Sequence, residues 1–280
     1  MTSNFLTLAN HAAQLAGFCS AKGRLQASFI AVKRDETDIL LIGAADLLSA
    51  TLKRLSMFVL RLKCRLSDAS ADLPVYGLAG TSADELLLNG SVWVCRDSAD
   101  GMALRLPDAA GHRFGLWLPQ LHIAVPAHNA PELTQDEWRW LLLSCGIPLI
   151  EAKTVDLFVP QMVNFELLGG VDFKKGCYPG QEVVARSQYR GTLKRRMFLF
   201  DCDVQASAGQ EVFSSADPSQ PAGVVANAAP HPGRSGCTAL VEVKLAELEH
   251  GTLHLGQPDG PPLVRRELPY EVGAESREVD

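Results

Sequence analysis

One run of the chain, Lys174-Lys175-Gly176-Cys177-Tyr178-Pro179-Gly180-Gln181-Glu182, places a single thiol in a glycine-bounded loop behind two lysines. Pro179-Gly180 marks a turn, and the stretch from Gln181 towards Arg190 reads as a helix that Gly191 stops. Two ammonium groups and the positive end of a helix dipole each favour thiolate over thiol. A cysteine in such a setting can be a nucleophile, a redox sensor or a metal-cluster ligand. A buried structural cysteine beside a tight turn is the plainer alternative, and the local residues leave all of these open.

The other cysteines, Cys19, Cys64, Cys95, Cys145, Cys202 and Cys237, are scattered with no Cys-x-x-Cys pair. That spacing suits neither a disulfide framework nor a four-cysteine zinc site, so most are expected to be small buried hydrophobes. His250 and His254 are four apart, but in a glycine-rich region not expected to be helical. Gly-x-Ser-x-Gly, phosphate-loop and dinucleotide fingerprints do not occur. Arg186, Arg190, Lys194, Arg195 and Arg196 could form a basic face for RNA, although a solvated face, or pairing of Arg186 with Glu182, explains them as well.

Elements must hold these residues in place. Leu25 to Val32 and Ile39 to Ile42 read as a hairpin around Lys33-Arg34-Asp35-Glu36. Asp46 is expected to cap a helix through Leu47, Leu48, Leu52, Leu55 and Phe58, and Val59 to Leu66 alternates like a strand. Val75 to Leu78, Val92 to Cys95, Ala103 to Leu106 and Phe114 to Leu118 are short strands, with a short helix expected over Thr81 to Leu88. Pro131 to Cys145 reads as a helix with Thr134 and Glu137 in a capping box, stopped by Gly146 and Pro148. Met197 to Cys202, Glu211 to Phe213, Ala222 to Asn227 and Ala239 to Lys244 suit a small barrel or sandwich, and the charged tail beyond Tyr270 is expected to be disordered. The fold class is α+β.

Bulk properties set limits. The 280 residues can build two or three lobes, and 47% hydrophobic against 21% charged residues is an ordinary globular composition. A net charge of −6 and a pI of about 5.7 argue against nucleic-acid binding by bulk electrostatics. No apolar stretch reaches membrane-spanning length, and Met1 to Asn10 lacks the pattern of a secretory signal, so a cytoplasmic location is expected.

Phe158-Val159-Pro160-Gln161 with Asn164, followed by Leu168-Gly169-Gly170-Val171-Asp172-Phe173 and the run through Cys177 to Arg186, resembles the signature of the YgfZ family. Arg190-Gly191, Lys194-Arg195 and Leu268-Pro269-Tyr270 resemble the same family at matching places, as do Lys22-Gly23-Arg24 and Trp138-Arg139-Trp140 with Gly146-Ile147-Pro148. The resemblance implies a three-lobed body like the glycine cleavage T-protein. Residues 1–192 would form a folate-binding body, with lobes at about 1–70 with 149–192 and at 71–148; 193–272 would form a C-terminal β-barrel and 273–280 a disordered tail.

It further implies tetrahydrofolate or a derivative as ligand, with Trp138 against the pterin and Lys22, Arg24 and Arg186 as available cations; ordinary packing of Trp138 on a helix made apolar by Leu141, Leu142 and Cys145 explains that ring equally well. Cys177 would be the active residue, within a signature loop of Lys175, Gly176, Tyr178, Gly180, Gln181 and Glu182. The implied role is accessory: assembly or repair of iron–sulfur clusters in client enzymes, including radical enzymes that thiolate tRNA, alongside cluster-assembly proteins and with Cys177 as a transient cluster ligand. A folate-dependent aminomethyltransferase or demethylase is the alternative. Two departures stand out. Met1-Thr2-Ser3-Asn4 falls inside a Gly-Gln-x-Thr-x-Asp-like segment, so the family's opening strand is missing. Leu143-Ser144 stands where relatives carry a carboxylate.

Overall fold

The computed structural model describes residues 1–61, 63–81, 87, 91–98, 100–119, 131–189 and 193–273. The strands are β1 (Ala12–Cys19), β2 (Leu25–Lys33), β3 (Ile39–Ile42), β4 (Tyr76–Ala79), β5 (Cys95–Ser98), β6 (Gly101–Ala109), β7 (His112–Pro119), β8 (Arg195–Cys202), β9 (Glu211–Ser214), β10 (Pro221–Pro230), β11 (Cys237–Lys244), β12 (Leu253–Leu255) and β13 (Val264–Arg266). Four α-helices lie among the described residues: α1 (Leu48–Ser56), α2 (Gln135–Ser144), α3 (Gln181–Tyr189) and α4 (Leu245–His250). The chain divides into one unit of residues 1–3, 15–28 and 133–280 and another of 4–14 and 29–132.

In the first unit, β8 and β11 are buried along almost their whole length. Phe198, Phe200 and Cys202 alternate with Met197, Leu199 and Asp201, and only the first set joins the barrel core with Val212, Val225, Val241 and Leu255. The opposite face is covered too: Met197 is bonded to Asn164, and Thr238 of β11 to Trp140 of α2. A sheet packed on both faces needs such continuous apolar strands.

The sheet is antiparallel, in the order β12-β9-β10-β11-β8-β13. Leu255 N–H donates to Pro261 O at 2.9 Å and Leu263 N–H to Leu253 O at 2.8 Å. These bonds carry the ladder from β12 onto the chain that enters β13, which curls the sheet into a small barrel. A bulge between Val225 and Asn227 has a clear purpose. Strict alternation would turn Asn227 inward beside Val225. The extra residue turns it outward, where its amide donates to Leu149 O at 2.7 Å and its carbonyl accepts from Leu149 N–H at 3.0 Å.

Helix α2 is set as its sequence suggests. Thr134 Oγ1 accepts from Glu137 N–H at 3.2 Å, and the Glu137 carboxylate accepts from Thr134 N–H at 2.7 Å. Gly146 ends the helix with φ 67°, where any Cβ would meet the ring of Tyr270.

In the second unit, β4-β7-β6-β5 form an antiparallel sheet whose core includes Leu87, Ala103 and Trp117. Strand β2 pairs β3 antiparallel from Ile30↔Ile42 to Lys33↔Ile39, as the hairpin reading requires.

Three expectations need correcting. The described residues between Val59 and Leu66 form turns and irregular chain rather than a strand; Met57, Phe58 and Leu60 stand exposed, so the alternation has no sheet to join there. Asp46 lies inside a 3-10 turn, Ala45–Leu47, and α1 begins after it without a side-chain cap. His250 closes the short helix α4 while His254 lies in β12, so the region is less irregular than its glycines suggest. The helix expected over Thr81 to Leu88, most of the tail 273–280, and Arg190 and Gly191 lie outside the described residues.

One carboxylate ties the barrel together. Asp201 accepts from Thr238 Oγ1 at 2.8 Å, from Arg266 at 2.9 Å and from Arg234. Burial alone would push its carboxyl up, but Arg266, Thr238 and Arg234 outweigh burial and hold it below the usual carboxylate range. A depressed folded-state pKa gives stability that is fully present above the unfolded value, about 3.9, and is lost as pH falls through the folded value. Asp201→Asn is therefore expected to lower the urea midpoint at pH 7 and to flatten its fall below about pH 4 relative to the parent chain. Parallel midpoint-versus-pH curves for the two proteins would contradict this assignment.

Candidate functional site

The cysteine loop is fixed at its base by the start of the chain. Thr2 Oγ1 donates to Gly170 O at 2.5 Å, Ser3 Oγ donates to the same carbonyl at 2.9 Å, and Asp172 N–H donates to Thr2 O at 3.0 Å. The Asp172 carboxylate turns the loop by accepting from Lys174 N–H at 2.8 Å. Lys175 then folds back: its ammonium donates to Met1 O at 2.7 Å and lies 5.0 Å from the centre of the Tyr178 ring. Lys174 stays exposed. The two lysines therefore play different parts, one structural and one free.

Beyond the thiol, the turn is locked by backbone contact. Gly180 has φ 79° and Gly23, in the β1–β2 turn, has φ 71°. A Cβ on Gly180 would lie 2.5 Å from Gly23 N and Cα and against Ser20 O; one on Gly23 would lie 2.8 Å from Val183 Cβ. Only two glycines allow these segments to meet. Gln181 N–H donates to Tyr178 O at 3.2 Å and Val184 N–H to Gly180 O at 3.3 Å, which starts α3 directly on the turn. Gln161, fully buried, holds that helix from behind by donating to Val184 O at 2.7 Å. Gly176 is different: nothing lies within 4 Å of where its Cβ would be.

Cys177 is exposed at the crest of this loop, which removes the alternative of a buried structural cysteine. Cys64 is the other exposed cysteine, and Cys19, Cys95, Cys145, Cys202 and Cys237 are buried, as the spacing suggested. Cys19 lies behind the loop. Burial above all pushes its thiol up to about 12, and burial followed by the influence of Cys19 raises the Tyr178 phenol as well. Burial lowers Lys175, with Asp172 partly offsetting it. Neither Cys19 nor Tyr178 ionises near neutral pH in this setting. Cys177 is the thiol of the loop that solvent reaches.

The Gly23–Gly180 contact also gathers cations. Lys22 is exposed on the β1–β2 turn, and Arg186 is exposed one helical turn beyond Val183. Arg24 is committed elsewhere: its guanidinium donates to the carbonyls of Leu157 and Asp156, the latter at 3.4 Å. No ion pair joins Arg186 to Glu182 among the described residues, so both remain open to solvent. Trp138 is half-buried on α2. Trp140, on the same helix, spends its indole N–H on Thr238 Oγ1 at 3.0 Å and stacks edge-on against His231. Two residues apart on a helix is roughly 200° of rotation, so Trp138 lies off the face that packs on the barrel. Lys22 and Arg186 are the exposed cations beside the glycine contact, and Trp138 stands on a separate helix. Ser144 Oγ donates to Trp140 O at 2.9 Å within its own helix.

Sequence reasoning missed part of the frame. Asn164, at φ 57°, donates to Met197 O at 2.7 Å and to Tyr270 Oη at 3.4 Å, while Tyr270 donates to Gly146 O at 2.9 Å. Arg196 and Glu166 form a buried ion pair, and Arg195 pairs with buried Glu242. Two of the five basic residues grouped as a surface face are thus committed to acids, Arg196 buried and Arg195 partly so. The two acids that would have revealed this lie about 30 and 47 positions away.

No family model matches the chain. The tRNA-modifying protein YgfZ of Edwardsiella ictaluri is 33% identical over 214 residues, 71% of this chain and 62% of that protein. Its counterpart in Photorhabdus laumondii is 29% identical over 208 residues, 71% of this chain and 62% of the relative. That of Yersinia enterocolitica is 28% identical over 195 residues, 66% and 58% respectively. The chain spans about three fifths of the length of these relatives. Among solved structures, glycine cleavage system aminomethyltransferase T from Bartonella henselae superposes with a TM-score of 0.68 at 14% identity, over 92% of this chain and 75% of that one. The fold is therefore that of the T-protein aminomethyltransferases, and at this identity the likeness concerns fold alone.

The glycine lock predicts a contrast. Gly180→Ala forces a positive-φ residue into neighbouring backbone and is expected to cost about 2 kcal/mol or more. Gly176→Ala adds a methyl in open space and is expected to stay within roughly 0.5 kcal/mol. Urea unfolding of the two variants measures both; equal costs would show that the backbone contact does not hold the loop.

Proposed function

We propose, from the premise that this chain is a homologue of the YgfZ proteins, that it is a folate-binding accessory factor for iron–sulfur enzymes, acting through Cys177 in tRNA modification. The observation that carries the reading is the exposed thiol of Cys177 on a loop whose two ends are pinned, by Thr2 and Ser3 at Gly170 and by the Gly23–Gly180 contact. A structural cysteine has no need of such a mount. A thiol that must meet a partner's iron, sulfur or persulfide does.

One thiolate cannot hold a cubane cluster, since such clusters are bound by several cysteines. No group of three or more His, Cys, Asp or Glu residues with metal-holding geometry occurs among the described residues. The cluster is cargo or a client's own group, and its remaining ligands come from the client enzyme or a cluster-assembly protein. Cys177 would then contribute one ligand at a time from its exposed position.

Tetrahydrofolate is the ligand that the fold relationship suggests, and the residues present fit it. Trp138 would face the pterin; Lys22 and Arg186 would take the anionic glutamate tail; Arg24 would brace the turn that carries Lys22. When bound, the folate supplies a one-carbon carrier or a redox-sensitive ring beside the loop. A folate-dependent transferase is the weaker reading. That chemistry wants a carboxylate near the reactive nitrogens, and the Ser144 hydroxyl at the corresponding place is already bonded to Trp140 O. No described helix is long and apolar enough to cross a membrane.

The test is complementation in cells lacking their own family member, scored by mass spectrometry of thiolated tRNA nucleosides. The parent chain, the chain extended by an N-terminal strand, and Cys177→Ala forms of each should be compared. Rescue that falls to background with Cys177→Ala, while folded protein is still present at normal levels, is the expected result. Rescue that persists without the thiol would remove Cys177 from the mechanism.

A further inference from the structure

Cys202 ends β8 and Cys237 begins β11, and the two are direct partners in the β8–β11 ladder. Both side chains belong to the barrel core, so they project from the same face of the sheet. They are 2% and 1% exposed, and both are free thiols. The hydrogen-bond phase of the ladder fixes their spacing. Leu245 N–H donates to Lys194 O at 2.9 Å, one step beyond the Lys244↔Arg195 pair. Counting by twos from there makes Cys237↔Cys202 a mutually hydrogen-bonded pair, for which the Cα atoms stand about 5.5 Å apart. That lies inside the roughly 4.4–6.8 Å window that a disulfide spans.

We propose that Cys202 and Cys237 are an oxidisable dithiol that closes to a cross-strand disulfide with a peroxide-class oxidant. It belongs to the barrel and is independent of the role assigned to Cys177. One sulfur attacks a peroxide oxygen and becomes a sulfenic acid, while the expelled hydroxide takes up the thiol proton as water. The second sulfur displaces the sulfenic hydroxyl, which leaves as a second water with the second thiol proton. Two thiols lose two electrons and two protons, and one peroxide becomes two waters.

Access comes from position. Both residues are strand termini, next to Asp203 on one side and Gly236 on the other, and strand ends open more readily than strand centres. Burial also keeps the Cys237 thiol above its ordinary value, so the reaction waits on such opening. A bridge across a hydrogen-bonded pair must draw two Cβ atoms closer than the ladder holds them, and a strained bridge is easily reduced. The geometry thus suits a reversible staple better than a permanent one.

The experiment treats the full chain, folded and without denaturant, with hydrogen peroxide, then blocks free thiols with N-ethylmaleimide in denaturant and maps peptides without reduction. The expected product is a Cys202–Cys237 cross-linked peptide about 2 Da lighter than the sum of its parts, lost on adding a dithiol reductant and absent from Cys202→Ser. The exposed Cys64 and Cys177 report in the same sample that oxidant was delivered. If those two are oxidised while Cys202 and Cys237 both carry the maleimide, the proposal is wrong. A bridge that forms only in denaturant would overturn it equally. The map of the parent chain decides between these outcomes even if the serine variant does not fold.

Discussion

The approach of Gly180 to Gly23 is the constraint on which the site rests. Two backbones meet with no side chain between them, each in a conformation that other residues seldom adopt. This one contact sets three things together. It places the β1–β2 turn, with Lys22, beside the cysteine loop. It determines where α3 starts, because Gly180 O is the first acceptor of that helix. And it fixes the Gly180 end of the loop on which Cys177 is exposed.

Around that contact, buried polar groups do the anchoring that apolar packing cannot. Gln161, Asn164, Glu166 and Arg196 are all buried within a short stretch of space, and each is matched to a particular backbone or side-chain partner. An apolar cluster of the same volume could be at least as stable, because desolvating an ion pair offsets most of its attraction. What the polar set adds is register: Asn164 must find Met197, and Gln161 must find Val184. Tyr270 then caps the arrangement from the far end of the chain through Gly146 and Asn164. A loop that presents a reactive group needs a base that does not slide.

Local signals in the sequence are legible where local forces decide. The Thr134–Glu137 box, the Gly146 stop and four of the six barrel strands are set by neighbours within a few residues and stand where expected, whereas β12 and β13 carry no such local signal. Val59 to Leu66 failed because alternation promises a strand only when a partner edge is available, and no short-range feature encodes that. The extent of the site was only partly legible. Cys177, Lys22 and Arg186 could be named from motif and charge, but the two fates of Lys174 and Lys175 depend on Met1 O, far away in sequence. Arg195 and Arg196 looked like surface charge for the same reason. Their acidic partners come from other elements, which a linear reading cannot pair.

The distribution of thiols follows from the same division between local and distant forces. Five cysteines are buried in the resting fold, and burial raises Cys19, Cys95 and Cys237 further from ionisation. A buried thiol is protected from metals and electrophiles both by exclusion and by staying protonated. Cys177 lacks that exclusion. Its exposure has no packing benefit, and the loop beneath it is held by glycines that cost conformational entropy on folding. The fold accepts those costs beneath Cys177 while burying five of the other six thiols. In the role proposed above, a single thiolate would not complete a cluster's coordination, so a partner would supply the remaining ligands to a thiol held at an exposed crest.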